Sequence, residues 1–130
     1  MQVLQAHYAL ENEDLWRLAT GLGAGIGRQG YVCGALTGGS IACGLVLGRL
    51  RNSSKEDRYA LRDETYAKVQ ELTRRFRERF GSVVCRELTG CDFLTPEGQR
   101  RFKAEGVLQS TCLPAVRLVV EAVPELCGRG

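Results

Sequence analysis

Apolar positions recur at spacings of three and four through most of the chain, the period of one face of an α-helix. Val3, Leu4 and His7 share a face in a short helical pattern from Met1 to Leu10. Asn12 is placed to cap a second helix, with Glu13 and Asp14 in its first turn. Leu15, Trp16, Leu18 and Ala19 supply that helix's apolar side, Trp16 as a core anchor, and Gly21 ends it. Ser54 caps a long helix running to about Phe80, where Gly81 stops it. Its stripe is Leu61, Thr65, Val69, Leu72, Phe76 and Phe80. Ser82 caps a short helix from Val83 to Leu88, stopped by Gly90. Thr95-Pro96-Glu97 is a helix start with Thr as cap and Pro at the first position. That helix carries Phe102 and ends near Gly106. Ser110 caps a last helix from Thr111 to about Leu126, with Val116, Val119, Val120 and Val123 toward the core. Pro114 is tolerable in its first turn, and Pro124 ends or kinks it. No β-rich run, internal repeat or linker interrupts this order. The pattern predicts one all-α domain over residues 1–130, a compact bundle of about six helices around a glycine-rich central helix.

That central helix lies in the stretch Gly21–Gly48, which holds ten of the chain's 16 glycines and no charge between Arg28 and Arg49. Gly21 to Gly30 is too rich in glycine for a regular element, because glycine costs about 1 kcal/mol against alanine inside a helix. It reads as a tight loop using positive φ. Val32 to Leu50 reads as the helix, with Cys33 in its first turn. Gly34 and Gly38, Ala35 and Gly39, and Gly44 and Gly48 put small residues four apart, a face on which another backbone can lie closely.

Two sharper readings of the stretch fare worse. Gly25-x-Gly27-x-x-Gly30 fits a dinucleotide fingerprint, but that fingerprint needs a strand before it and a βαβ unit around it. The uncharged run from Gln29 to Gly48 has the length of a bilayer span. Its six glycines, Thr37, Ser40 and two cysteines make it poorly hydrophobic, and a buried helix accounts for it better.

Hydrophobic residues make up 44% of the chain and charged residues 25%, ordinary for a globular protein. The net charge of +3 does not argue for nucleic acid. Arg74, Arg75, Arg77 and Arg79 fall at the C-terminal end of the long helix, which favours cations, and no stacking aromatics are interleaved with them. The N-terminus shows neither a basic segment nor an apolar one of the signal-peptide kind. The expectation is a cytoplasmic protein without a membrane span. In that setting six cysteines are metal-binding, redox-active or simply buried, rather than a disulfide scaffold. There is no Cys-x-x-Cys, and His7 is the one histidine, expected to be structural.

Placed on the helices, Cys33, Cys85 and Cys112 each fall at a helix start, with Cys91 in a loop six residues after Cys85. Free N–H groups and partial positive charge at a helix N-terminus lower a thiol's pKa and favour thiolate. Thiolates attack disulfides and bind zinc and iron–sulfur clusters. Cys43 reads as a buried small residue, and Cys127 as frayed.

The chain resembles the C_GCAxxG_C_C family of redox-active proteins, and is similar to the N-terminal part of split-Soret cytochromes c. The resemblance is carried by the Gly21–Gly27 loop, by Cys33-Gly34-Ala35-Leu36-Thr37-Gly38, by the segment from Phe80 to Gly90 containing Cys85, and by Cys112 before the Val116–Ala122 helix. It covers nearly the whole chain. The family also carries a cysteine in the helix aligned with Met1–Leu10, where this chain has none. Cys91 or Cys43 is then its substitute, or the fold is kept without the chemistry. No Cys-x-x-Cys-His is present, so covalent haem is not expected.

The expected function is that of a small redox protein. Cys33, Cys85 and Cys112, with Cys91, hold an iron–sulfur cluster or another metal, transfer electrons, or exchange disulfides with an unidentified redox partner. Gly23, Gly25, Gly27, Gly34 and Gly38 support the site by letting backbone N–H groups approach the sulfurs. The alternative is a non-catalytic interaction module whose glycine face packs a partner helix in a homodimer.

Overall fold

The computed structural model describes residues 1–10 and 12–128. The helices are α1 (Gln2–His7), α2 (Asp14–Thr20), α3 (Gly34–Leu47), α4 (Lys55–Phe80), α5 (Cys85–Thr89), α6 (Pro96–Ala104) and α7 (Leu113–Cys127). A π-helical turn, Leu108–Cys112, runs directly into α7. The architecture is all-α, as the 3.6-residue pattern predicts, with one isolated antiparallel bridge between Val32 and Val84.

α3, α4 and α7 pack on one another and hold the core. Leu36, Ala42 and Cys43 of α3 meet Leu72 and Phe76 of α4 and Ala115, Val119, Ala122, Val123 and Cys127 of α7, with Leu4 of α1 closing the end. Gly39 shows why the central helix is built from small residues. A Cβ there would lie 2.5 Å from Val119 Cγ1 and 3.0 Å from Leu72 Cδ2. The small face that could have received a partner helix is thus filled on this side by the chain's own α4 and α7.

α4 follows its end signals. Ser54 Oγ accepts from the Asp57 N–H at 3.0 Å, and Gly81 closes the helix at φ 81°. Two arginines of its C-terminal half are structural: Arg74 pairs with Glu71 and Glu78, and Arg75 with Glu71 and with Glu125 of α7 at 3.0 Å. Arg74 and then Arg75 hold the Glu71 carboxyl down to about 2.

Several expectations shift. α3 begins at Gly34 because Val32 is held in the bridge with Val84. Asn12 Oδ1 accepts from the Asp14 N–H at 2.8 Å, yet Glu13 takes the cap position of α2. Trp16 is not a core anchor but 54% exposed, since the two-turn α2 buries only Leu15. On α7 the buried face runs through Ala115 and Ala122 instead of Val116, which is 40% exposed. Among the described residues no single helix is long and apolar enough to cross a membrane.

Candidate functional site

The glycine loop sets the site's geometry. Five consecutive residues, Ala24, Gly25, Ile26, Gly27 and Arg28, all have positive φ, and Gly30 follows at 73°. Left-handed backbone costs a non-glycine residue about 1–2 kcal/mol, so Ala24, Ile26 and Arg28 carry strain that the surroundings must hold. Internal bonds do so: Ile26 N–H to Leu22 O at 3.3 Å, Arg28 N–H to Gly23 O at 3.3 Å, Gly30 N–H to Ala24 O at 3.2 Å and Tyr31 N–H to Gly25 O at 3.0 Å. These N–H groups are spent within the loop and shape it, rather than reaching sulfur. Gly25 is indispensable, because a Cβ there would sit 2.4 Å from the Tyr31 nitrogen.

Strain in such a loop has a product. It delivers Val32 and Cys33 in extended form against residues 83–86. Cys33 N–H donates to Val83 O at 2.8 Å, Cys85 N–H to Tyr31 O at 2.5 Å, and Arg86 N–H to Gly30 O at 3.0 Å. Val32 and Val84 are directly opposed. The bonds on either side of the Val32–Val84 bridge thus hold the Cys33 and Cys85 backbones against each other. Gly34 brings the loop over the start of α3, with Leu22 O 3.4 Å from where its Cβ would be. Gly38 faces the nitrogen of Met1 at 3.6 Å in the same sense. Gly23 and Gly27 have no such close neighbour.

Cys33 is half-buried at the N-cap of α3, where its side chain makes no capping bond. Cys85 is the first residue of α5, after Val84 as cap, and is buried. Ser82 does not cap this helix, though its Oγ accepts from the Val84 N–H at 3.0 Å and donates to Glu87. Thr89, the buried polar residue of this region, ties Cys85 to Cys91: its hydroxyl donates to Cys85 O at 2.8 Å and accepts from the Cys91 N–H at 3.2 Å. Cys85, Cys91, Phe93 and Val107 form a small second core, with Ala24 and Phe102 against it. The π-helical turn packs beside α5 and brings Cys112 to the same place.

Electrostatics records the gathering. Burial pushes the Cys85 thiol up to about 11, and negative charge on Cys33, then Cys112, then Cys91 adds to the push. Burial likewise raises Cys112, followed by charge on Cys33 and Cys91. Cys33 is the strongest of the sulfur influences on both. The expected lowering by helix N-termini fails at two positions. α5 is a single turn whose first N–H is already taken by Tyr31. Ser110 caps nothing, because the helix is already running through the π turn when it reaches Cys112. With the Cys85 N–H already bonded and no helix start at Cys112, desolvation wins.

Cys43 does not join this site. It lies in the main core with Cys127, whose Sγ donates to Cys43 Sγ at 3.3 Å. Cys127 is thus buried, not frayed. Of the two candidate substitutes, Cys91 is the one that lies with Cys85. All six cysteines are free thiols. Among the described residues, no three His, Cys, Asp or Glu side chains are set closely enough to hold a metal ion. The four thiols share a neighbourhood but form no ligand cage as they stand.

Over residues 1–126 the chain matches the model of the family described as "Putative redox-active protein (C_GCAxxG_C_C)". It is similar to an uncharacterized protein of Archaeoglobus fulgidus, 31% identical over 96 residues, which are 69% of this chain and 62% of that protein. The chain therefore spans less than two thirds of that relative's length. No solved structure matches it.

Proposed function

Because the chain belongs to the C_GCAxxG_C_C family, we propose that it carries two electrons by thiol–disulfide exchange at Cys33 and Cys85, with Cys112 and Cys91 completing the site. The observation that supports this reading is the set of backbone bonds that holds the Cys33 segment against the Cys85 segment; a disulfide needs Cβ atoms about 4 Å apart, so its closure requires these two segments to shift toward each other. Cys33 is the more accessible of the two and attacks. Its thiolate displaces one sulfur of a partner disulfide, forming a mixed disulfide and releasing a partner thiolate, which takes up a proton. Cys85 then gives up its proton and attacks the Cys33 sulfur. The second partner thiolate leaves, and a Cys33–Cys85 disulfide remains. Two electrons and two protons have passed to the partner.

Burial of Cys85 keeps it protonated until the mixed disulfide forms. A thiol near 11 instead of 9 has about 100-fold less thiolate at neutral pH. The arrangement separates an attacking thiol from a resolving one without a Cys-x-x-Cys motif.

An aromatic disulfide reagent such as 5,5′-dithiobis(2-nitrobenzoate) tests this. The wild type should release two reagent thiolates and end with an internal disulfide. Cys85→Ser should release one at this site and hold the other on Cys33. If Cys33→Ser leaves the fast release unchanged, the assignment is wrong.

A further inference from the structure

We propose that Cys43 and Cys127 form a second redox site, a buried dithiol that closes to a disulfide joining α3 to α7. The two sulfurs are 3.3 Å apart although the residues are 84 apart in sequence. A disulfide bond is about 2.05 Å long, so closure needs an approach of only about 1.2 Å. Cys43 is fixed in the middle of α3. Cys127 is the last residue of α7, followed by Gly128 at φ 66°, and the final turn can supply the movement.

The pair is independent of the loop site. Cys43 is ten residues beyond Cys33 on the same helix, about 15 Å along its axis. Cys127 is the first cause of charge acting on Cys43, whereas Cys33, Cys112 and Cys91 act on Cys85. A second observation marks the place. The phenol oxygen of Tyr8 is buried with no hydrogen-bond partner among the described residues. It feels the charge of both Cys127 and Cys43. Tyr8 packs against the core cluster that holds both cysteines, and its unpaired O–H is a donor that a thiolate or an oxidised sulfur there would accept.

Accessibility decides the oxidant. Cys43 is 0% exposed and Cys127 6% exposed, which bars a bulky disulfide and admits hydrogen peroxide. The Cys127 thiolate attacks one peroxide oxygen, the O–O bond breaks, and the departing hydroxide takes a proton to become water. The Cys43 sulfur then attacks the Cys127 sulfenic acid, the S–O bond breaks, and a second water leaves with the Cys43 proton. Two thiols and one peroxide give one disulfide and two waters. Tyr8 positions the sulfenic oxygen through its O–H.

The inference does not rest on the chemistry assigned to Cys33 and Cys85, and the test separates them. Full-length Cys33→Ser/Cys85→Ser protein is treated with hydrogen peroxide, blocked with an alkylating reagent, and digested without reduction. The expected result is one cross-linked peptide pair, Cys43 with Cys127, two hydrogens lighter than its parts, and a thermal midpoint that rises on oxidation and returns with dithiothreitol. Tyr8→Phe, which keeps the ring, should slow cross-linking several-fold. Alkylated Cys43 and Cys127 after exhaustive peroxide treatment would overturn the proposal, as would cross-links from Cys43 to any other cysteine.

Discussion

Three glycines of one loop should respond to the same methyl group in three different ways. At Gly23 a Cβ would meet only Thr20 O at 3.8 Å, an ordinary contact, and φ is not positive. Gly23→Ala should change stability by less than about 0.5 kcal/mol. Gly27 has φ 58° but open space, with Gly21 O at 4.0 Å. Gly27→Ala therefore meets backbone strain alone, about 1 kcal/mol after the smaller entropy of the unfolded alanine chain is allowed for. Gly25 has φ 70° and Tyr31 N at 2.4 Å, Gly30 C at 2.7 Å and Gly30 Cα at 2.8 Å. All three neighbours are backbone and cannot rotate away. Strain and overpacking together give about 2–4 kcal/mol for Gly25→Ala. The damage is also directional, because Tyr31 O accepts the Cys85 N–H. Urea unfolding followed by circular dichroism checks the order, and thiol labelling of the folded state checks the site. Gly25→Ala should be the least stable and should expose Cys85 to labelling. Equal stability of Gly23→Ala and Gly25→Ala would refute the reasoning.

Alkaline pH should destabilise the protein through its buried thiols. Cys85 and Cys43 bind their protons more tightly folded than unfolded, at about 11 and about 12 against an ordinary 9. The stability this carries is complete below pH 9 and is lost as pH rises through those values. Urea midpoints at pH 8 to 11 should fall, and Cys85→Ala should flatten the fall; a midpoint constant across that range contradicts the burial argument. Tyr8→Phe removes a buried hydroxyl without a partner, so stability should hold or rise by up to about 1 kcal/mol; a loss above that size in the same assay would reveal a bond to the phenol.

How much of this was legible depends on how local each signal is. Ser54, Gly81, Thr95 and Pro96 act within one helical turn, and α4 and the start of α6 lie where those residues put them. The loop was half-legible. Gly25, Gly27 and Gly30 announce positive φ, but nothing in Ala24, Ile26 or Arg28 does, since they are held there by bonds that close only in three dimensions. Ser110 resembles a cap and so points to a helix start at Cys112. A π turn has no such local signature, and this one carries the helix through Ser110. Thr89 and the Cys43–Cys127 contact depend on which faces meet, which spacing along one helix does not encode. The thiol electrostatics turned for a related reason: sequence placed Cys85 and Cys112 near helix starts, while their depth of burial depended on the second core and on α5 packing beside the π turn.

The most direct test of the account is a redox titration in thiol–disulfide buffers, with every cysteine assigned by mass spectrometry at each potential. The account predicts a two-electron transition, about 30 mV per decade, in which Cys33 and Cys85 are lost together into one disulfide. Cys33 and Cys85 persisting as thiols across the whole range, with all six cysteines slow to react, would contradict it.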